Sequence, residues 1–211
     1  MELKGQVKAK QIAESRFSVS GKIASINVKV FQTVKKGALL ATVDKSLPQT
    51  YLDRALMQYE KERADFDQKQ KETLSEFDKR KIQNELDITV KNVEIAKQNL
   101  EETNLYSPID GVVATINGGL IGENITPARF IVTIIDPDSF YFEAEVEQKD
   151  LMSVKPGQEA KIKLVALPQE LSGTIEQVGL RPLKPNTYPV LIEINNKQDL
   201  KLGLLGIVRY E

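Results

Sequence analysis

One short sequence occurs twice in this chain, and the copies are 90 residues apart. Gly21-Lys-Ile-Ala-Ser-Ile-Asn27 matches Gly111-Val-Val-Ala-Thr-Ile-Asn117 with four identities and two conservative exchanges. The ends match as well: Leu40-Ala-Thr-Val-Asp44 and Val132-Thr-Ile-Ile-Asp136 stand 92 residues apart. Both copies alternate in polarity, are rich in β-branched residues and are punctuated by Gly, which is the texture of short strands. A repeat of this kind predicts two similar β halves closing into one small sandwich. The segment between them is of another nature. Residues 47–103 contain 23 charged residues and no Gly, and their only Pro is Pro48 near the start. That pattern reads as helix.

The helical segment has a period. Ile82, Leu86, Thr89, Val93, Ala96, Leu100 and Thr103 follow alternating four- and three-residue steps, and Leu52, Tyr59, Phe66 and Thr73 recur every seven. Ser75 followed by Asp78 has the form of an N-cap with its capping-box acid. We therefore expect a helix over 48–72, a tight turn at 73–75 and a helix over 76–103. A narrow seam with charge all round fits a projecting antiparallel hairpin, and a single dimerising coiled-coil helix is the alternative. Residues 138–211 supply several short alternating strands, among them Phe140–Val146, Ala160–Leu164, Gly173–Val178, Tyr188–Ile194 and Leu202–Tyr210, at the spacing of a small barrel. Glu143, Glu145 and Glu147 alternate along one of these strands and are read as facing solvent.

Composition removes many chemistries. There is no His, Cys or Trp and only three Met, so no His–Cys zinc site, thiol nucleophile, Ser-His-Asp triad, disulfide or thioether copper site is expected. No catalytic residue, metal ligand or cofactor is assigned. A net charge of −1 gives no general drive toward nucleic acid. The basic block 1–46, with nine Lys or Arg against three acids, has only Phe17 and Phe31 as aromatics. Gly118-Gly119-Leu-Ile-Gly122 lacks the Lys-Ser/Thr of a phosphate loop and reads as a turn needing positive φ. The longest apolar run, Phe130–Ile135, is far too short to span a membrane, and Met1–Gln6 is too polar for a signal peptide. The chain is thus cytoplasmic, or a targeting segment has been removed from it.

The order half-domain, hairpin, half-domain, barrel resembles the periplasmic adaptor, or membrane fusion protein, family of HlyD-type secretion and efflux systems. Val28-Lys-Val30 with Val34-Lys-Lys-Gly37-Ala-Leu-Leu-Ala-Thr-Val-Asp44 is similar to the first half of that family's lipoyl-like domain. Leu105-Tyr-Ser-Pro-Ile-Asp-Gly111-Val-Val is similar to the second half, with Ser107 for the usual Ala. Ala144-Glu-Val-Glu-Gln-Lys-Asp150 through Val154-Lys-Pro-Gly157 resembles the start of its β-barrel, and Leu200-Lys-Leu-Gly203 its closing turn. Phe31-Gln32-Thr33 stands where the family has a Gly, so that turn is expected to differ.

The resemblance implies an α+β multidomain chain in which a lipoyl-like β-sandwich is interrupted by an antiparallel α-helical coiled-coil hairpin and followed by a small β-barrel. The units are 1–16 as an N-terminal strand, a remnant of a membrane-proximal domain; 17–46 plus 104–137 as the lipoyl-like domain; 47–103 as the hairpin; and 138–211 as the barrel. The resemblance also implies a periplasmic place, anchored to the inner membrane by a segment absent from this chain, and a hexameric assembly. Its implied partners are an inner-membrane transporter of ABC or RND type and a TolC-like outer-membrane channel. At the hairpin tip many members carry a spaced Arg-Leu-Ser signature; here Arg63, Leu74, Ser75 and Asp78 are the candidate partner-binding residues, and the spacing departs from the family's. Most other hairpin charges are read as a solvated surface. Two further readings remain. A biotinyl or lipoyl carrier domain shares the sandwich, but 60 residues separate Asp44 from Leu105 and Lys45 is the nearest lysine. A structural envelope coiled coil without a transport partner is the other.

Overall fold

A computed structural model describes residues 2–127 and 129–210 of the chain. Strand β1 (Glu2–Ala9) is followed by β2 (Ile12–Arg16), β3 (Gly21–Ile26), β4 (Thr33–Val34) and β5 (Leu39–Val43), then by helices α1 (Ser46–Lys69) and α2 (Glu76–Glu101). Next come β6 (Asn104–Tyr106), β7 (Gly111–Asn117), β8 (Asn124–Ile125) and β9 (Ile131–Ile135). The chain finishes with β10 (Phe140–Glu147), β11 (Glu159–Leu164), β12 (Glu170–Val178), β13 (Thr187–Ile194) and β14 (Leu205–Tyr210).

The repeat produces the sandwich. Its two sheets run β2-β9-β7-β4 and β6-β5-β3-β8. Matching β2–β5 in order with β6–β9 turns one sheet into the other, so an internal pseudo-two-fold relates the halves. Hydrogen bonds repeat with it. The Phe31 N–H donates to Val113 O at 2.8 Å, and the Gly122 N–H to Ile23 O at 2.8 Å. The Lys29 N–H donates to Gln32 Oε1 at 3.0 Å, as the Leu120 N–H does to Glu123 Oε2 at 3.0 Å. Each half also leaves by the same device: Asp44 Oδ1 accepts the Ser46 N–H at 2.9 Å, and Asp136 Oδ1 the Asp138 N–H at 2.9 Å. The first exit starts α1 and the second leads to the barrel. Between the sheets lie Ile23, Leu40, Val43, Val113, Val132 and Ile134, all fully buried, with Phe17 and Phe130 tilted together at 5.6 Å.

Period-two alternation closes the barrel. Phe140, Phe142, Ala144 and Val146 point inward from β10, while the glutamates between them point outward. The six strands run β1-β10-β13-β12-β11-β14 and back to β1, which leaves no edge open. Helices α1 and α2, of 24 and 26 residues, reach about 36–39 Å at 1.5 Å per residue. Their seam sets Leu52, Ala55, Leu56 and Tyr59 against Val93, Ala96 and Leu100.

Several expectations need correction. Residues 1–16 do not form a separate N-terminal strand: β1 is a barrel strand between β10 and β14, and β2 is a sandwich strand beside β9. The sandwich therefore begins at Ile12, before the expected 17. Helix α1 starts at Ser46, two residues before Pro48, because Asp44 binds the Ser46 N–H and hydroxyl. It ends at Lys69, as the Lys71 and Glu72 N–H groups tighten onto Gln68 O and Lys69 O. Helix α2 stops at Glu101, ahead of β6. The last strand starts at Leu205, because Gly203 (φ 84°) still belongs to the turn before it. Glu143 points out of the barrel but is largely covered there: Lys8 Nζ approaches it to 2.5 Å across the β1–β10 pair, and only 12% of its side chain is exposed. The Phe31 turn keeps the shape of its counterpart, with Phe31 at φ 70° where the other half has Gly122 at φ 89°.

Candidate docking tip and barrel end

At the hairpin turn, Ser75 takes an extended conformation (φ −66°, ψ 157°) and caps α2. Its Oγ accepts the Asp78 N–H at 3.1 Å and donates to Asp78 Oδ2 at 2.6 Å. Glu76 and Asp78 place negative charge in the first turn, where the helix dipole favours it. Lys79 binds the Glu76 carboxylate at 2.8 Å and lowers its pKa. Ser75 and Asp78 are thus mutually satisfied, and capping accounts for both.

The expected four tip residues are only partly brought together. Leu74 sits beside the cap, but it is half-buried rather than exposed. With Phe66, Ile82, Lys79 and Gln83 it lines a cleft of about 140 Å³. Arg63 does not join them. It lies some two turns down α1, held along its own helix by Tyr59 Oη at 3.4 Å and Asp67 Oδ1 at 3.3 Å. These partners, Tyr59 first and then Asp67, raise its pKa. Sequence reasoning missed Phe77, which is 72% exposed directly after the cap. An aromatic between Glu76 and Asp78, off the heptad seam, was the available signal.

The opposite pole is the barrel end away from the sandwich. Glu2 pairs with Arg209 there, so the first and last described strands begin and finish side by side. The same end carries Met152 on the short helical turn Gln148–Ser153, and Leu180 on the β12–β13 loop; they are 86% and 95% exposed. Pro182 and Pro185 hold that loop out of the ladder, with Asn186 at φ 63° turning into β13. Among the described residues no three carboxylates gather into a metal-sized cluster, and no helix is long and apolar enough to cross a membrane.

A family model described as the RND membrane fusion protein barrel-sandwich hybrid domain matches residues 11–136. The chain belongs to the RND membrane fusion protein family. The match spans the sandwich with its inserted hairpin, from just before β2 to just after β9. Solved membrane fusion proteins share the architecture. A MacA–MexA chimeric protein containing the Pseudomonas aeruginosa MexA α-hairpin domain superposes with a TM-score of 0.89 at 21% identity, over 100% of this chain and 80% of that one. The membrane fusion protein Spr0693 of Streptococcus pneumoniae R6 gives 0.83 at 19%, over 100% and 98%. The periplasmic adaptor protein EmrA gives 0.54 at 17%, over 100% and 98%. In this membrane fusion protein Lys45 leads directly into α1, where a carrier domain would present its modified lysine on a tight turn.

Proposed function

We propose that this membrane fusion protein is the periplasmic adaptor of an efflux or secretion system, standing between an inner-membrane transporter of ABC or RND type and a TolC-like outer-membrane channel. The observation that carries the reading is the separation of two exposed apolar poles. The hairpin holds the exposed Phe77, beside the half-buried Leu74, at one pole, and the barrel holds the exposed Met152 and Leu180 at the other. A narrow-seamed hairpin about 36–39 Å long supplies reach and no chemistry. Copies stand side by side in a ring of six at the inner membrane. The motifs shared with HlyD-type adaptors support the same role. Leu74→Asp tests it: folding stays intact, and export in the native host falls. Unchanged export would refute tip docking through Leu74.

A further inference from the structure

The repeat supplies an internal control for one patch of surface. Thr33 pairs with Val112 in one place, and Asn124 with Lys22 in its counterpart. Two residues ahead of each pair, Phe31 and Gly122 take the same left-handed turn, at φ 70° and 89°. The backbone is shared and the side chains are opposite in character. One edge presents Phe31, Thr33 and Val112, where the other presents Gly122, Asn124 and Lys22. A sandwich that needs only the turn takes Gly, as it does at Gly122. Phe31 adds backbone strain there while 83% exposed, so neither the turn nor the core of this chain accounts for it.

The apolar character continues along the sheet. Val112 pairs with Ile135, and Ile135 with Ile12, so these residues form one row on the outer face. Ile12 is 48% exposed, Val30 beside Phe31 is 41% exposed, and Val112 is half-buried. The row lies at the end of the sandwich away from the hairpin, one residue before the exit at Asp136, and Ile135 already packs against the barrel core. Its charges are uneven. At the Ile12 end Arg16 binds Glu14, Lys10 binds Glu176, and Asp136 accepts the Asp138 N–H. At the Phe31 end there are three cations, Lys29, Lys35 and Lys36, and one carboxylate, Asp110. Asp110 holds the Lys35 ammonium and the Lys36 N–H. The ammonium groups of Lys29 and Lys36 enter no ion pair among the described residues.

We propose that Phe31 is a docking anchor for the inner-membrane transporter: it enters an apolar pocket rimmed by carboxylates on the transporter's extracytoplasmic part. Val30 and the Val112–Ile12 row lie against the pocket's apolar surround, and Lys29 and Lys36 face its rim. The proposal rests on the adaptor reading and adds to it a second contact, at the waist between sandwich and barrel. The transporter is the partner because the row sits on the barrel side of the sandwich, and because a positive rim calls for a negative one opposite.

Phe31→Gly separates contact from fold, since Gly122 shows that the turn survives with Gly. In the full-length protein its thermal midpoint should be no lower than the parent's. Its binding to the transporter subunit that co-purifies from the native host should weaken by about thirtyfold, the scale of a lost aromatic anchor. Phe31→Tyr should bind as the parent does, and Lys29→Glu/Lys36→Glu should slow association most at low salt. A photo-reactive phenylalanine at position 31 should link to the transporter subunit. Equal affinity of Phe31→Gly and the parent overturns the anchor and leaves the adaptor reading standing. A link from position 31 to a second copy of this chain also overturns it, and assigns the row to contact between copies. If no transporter subunit co-purifies with the parent, the adaptor reading itself fails and the anchor falls with it.

Discussion

Phe31 and Gly122 occupy equivalent turns, and one of them is in the wrong side chain for its backbone. The left-handed region is open to Gly and costs an ordinary residue roughly 1–2 kcal/mol. Phe31 occupies it while 83% exposed, so burial does not offset that cost. Phe31→Gly should therefore raise stability by about 0.5–1 kcal/mol once the extra unfolded freedom of Gly is set against the relieved strain. Thermal unfolding checks this, and a lowered midpoint would contradict it. Sequence pattern could not foresee the turn: the missing Gly argued for another conformation, whereas the backbone bonds to Val113 and the Gln32 side chain impose the same one. Two aspartates make the pH dependence of the sandwich legible. The hydroxyl and then the backbone N–H of Ser46 hold the Asp44 carboxyl below its ordinary range, and the Lys36 N–H with the Lys35 ammonium does so for Asp110. A carboxylate with a lowered folded pKa stabilises above its unfolded value, about 3.9, and loses that contribution as pH falls through the folded value. The gap in melting temperature between the parent and Asp44→Ala/Asp110→Ala should be widest near neutrality and should close below about pH 4; a gap that persists in strong acid contradicts this assignment.

Among the elements, the helices were the most legible and β1 the least. The heptad of Ile82, Leu86, Thr89, Val93 and Ala96 placed the buried face of α2 residue by residue, because a helix seam is local in sequence. Strand β1 pairs Val7 with Phe142 and Leu3 with Val208, and no local pattern announces partners so far along the chain. Gly111 opens β7, and a Cβ there would lie 2.5 Å from Ile135 O. The tip was legible as a cap, through Ser75 and Asp78, but Phe77 and the separation of Arg63 were not, since both depend on which way a helix face points. The hairpin's apolar cluster is its own, distinct from the sandwich and barrel cores. Val93→Asp removes apolar burial and seats a charge in the narrow seam, at a cost of about 3 kcal/mol. It should lower helical circular dichroism while β signals and the sandwich–barrel transition persist. A single lost transition for the whole chain would show the three bodies to be energetically fused.

For the whole molecule, the internal pseudo-two-fold explains why one small sandwich can serve two directions. Two equivalent exits, at Asp44 and Asp136, send the chain once into a long hairpin and once into a barrel. The interruption of the repeat therefore settles the architecture. What the adaptor reading asserts most directly is that the two poles meet different proteins. Photo-cross-linking amino acids placed at Phe77 and at Leu180, in the native host, measure this. The account predicts an outer-membrane channel subunit captured from position 77 and an inner-membrane transporter subunit captured from position 180. One common partner at both positions, or capture of neither membrane's transport component, would contradict it.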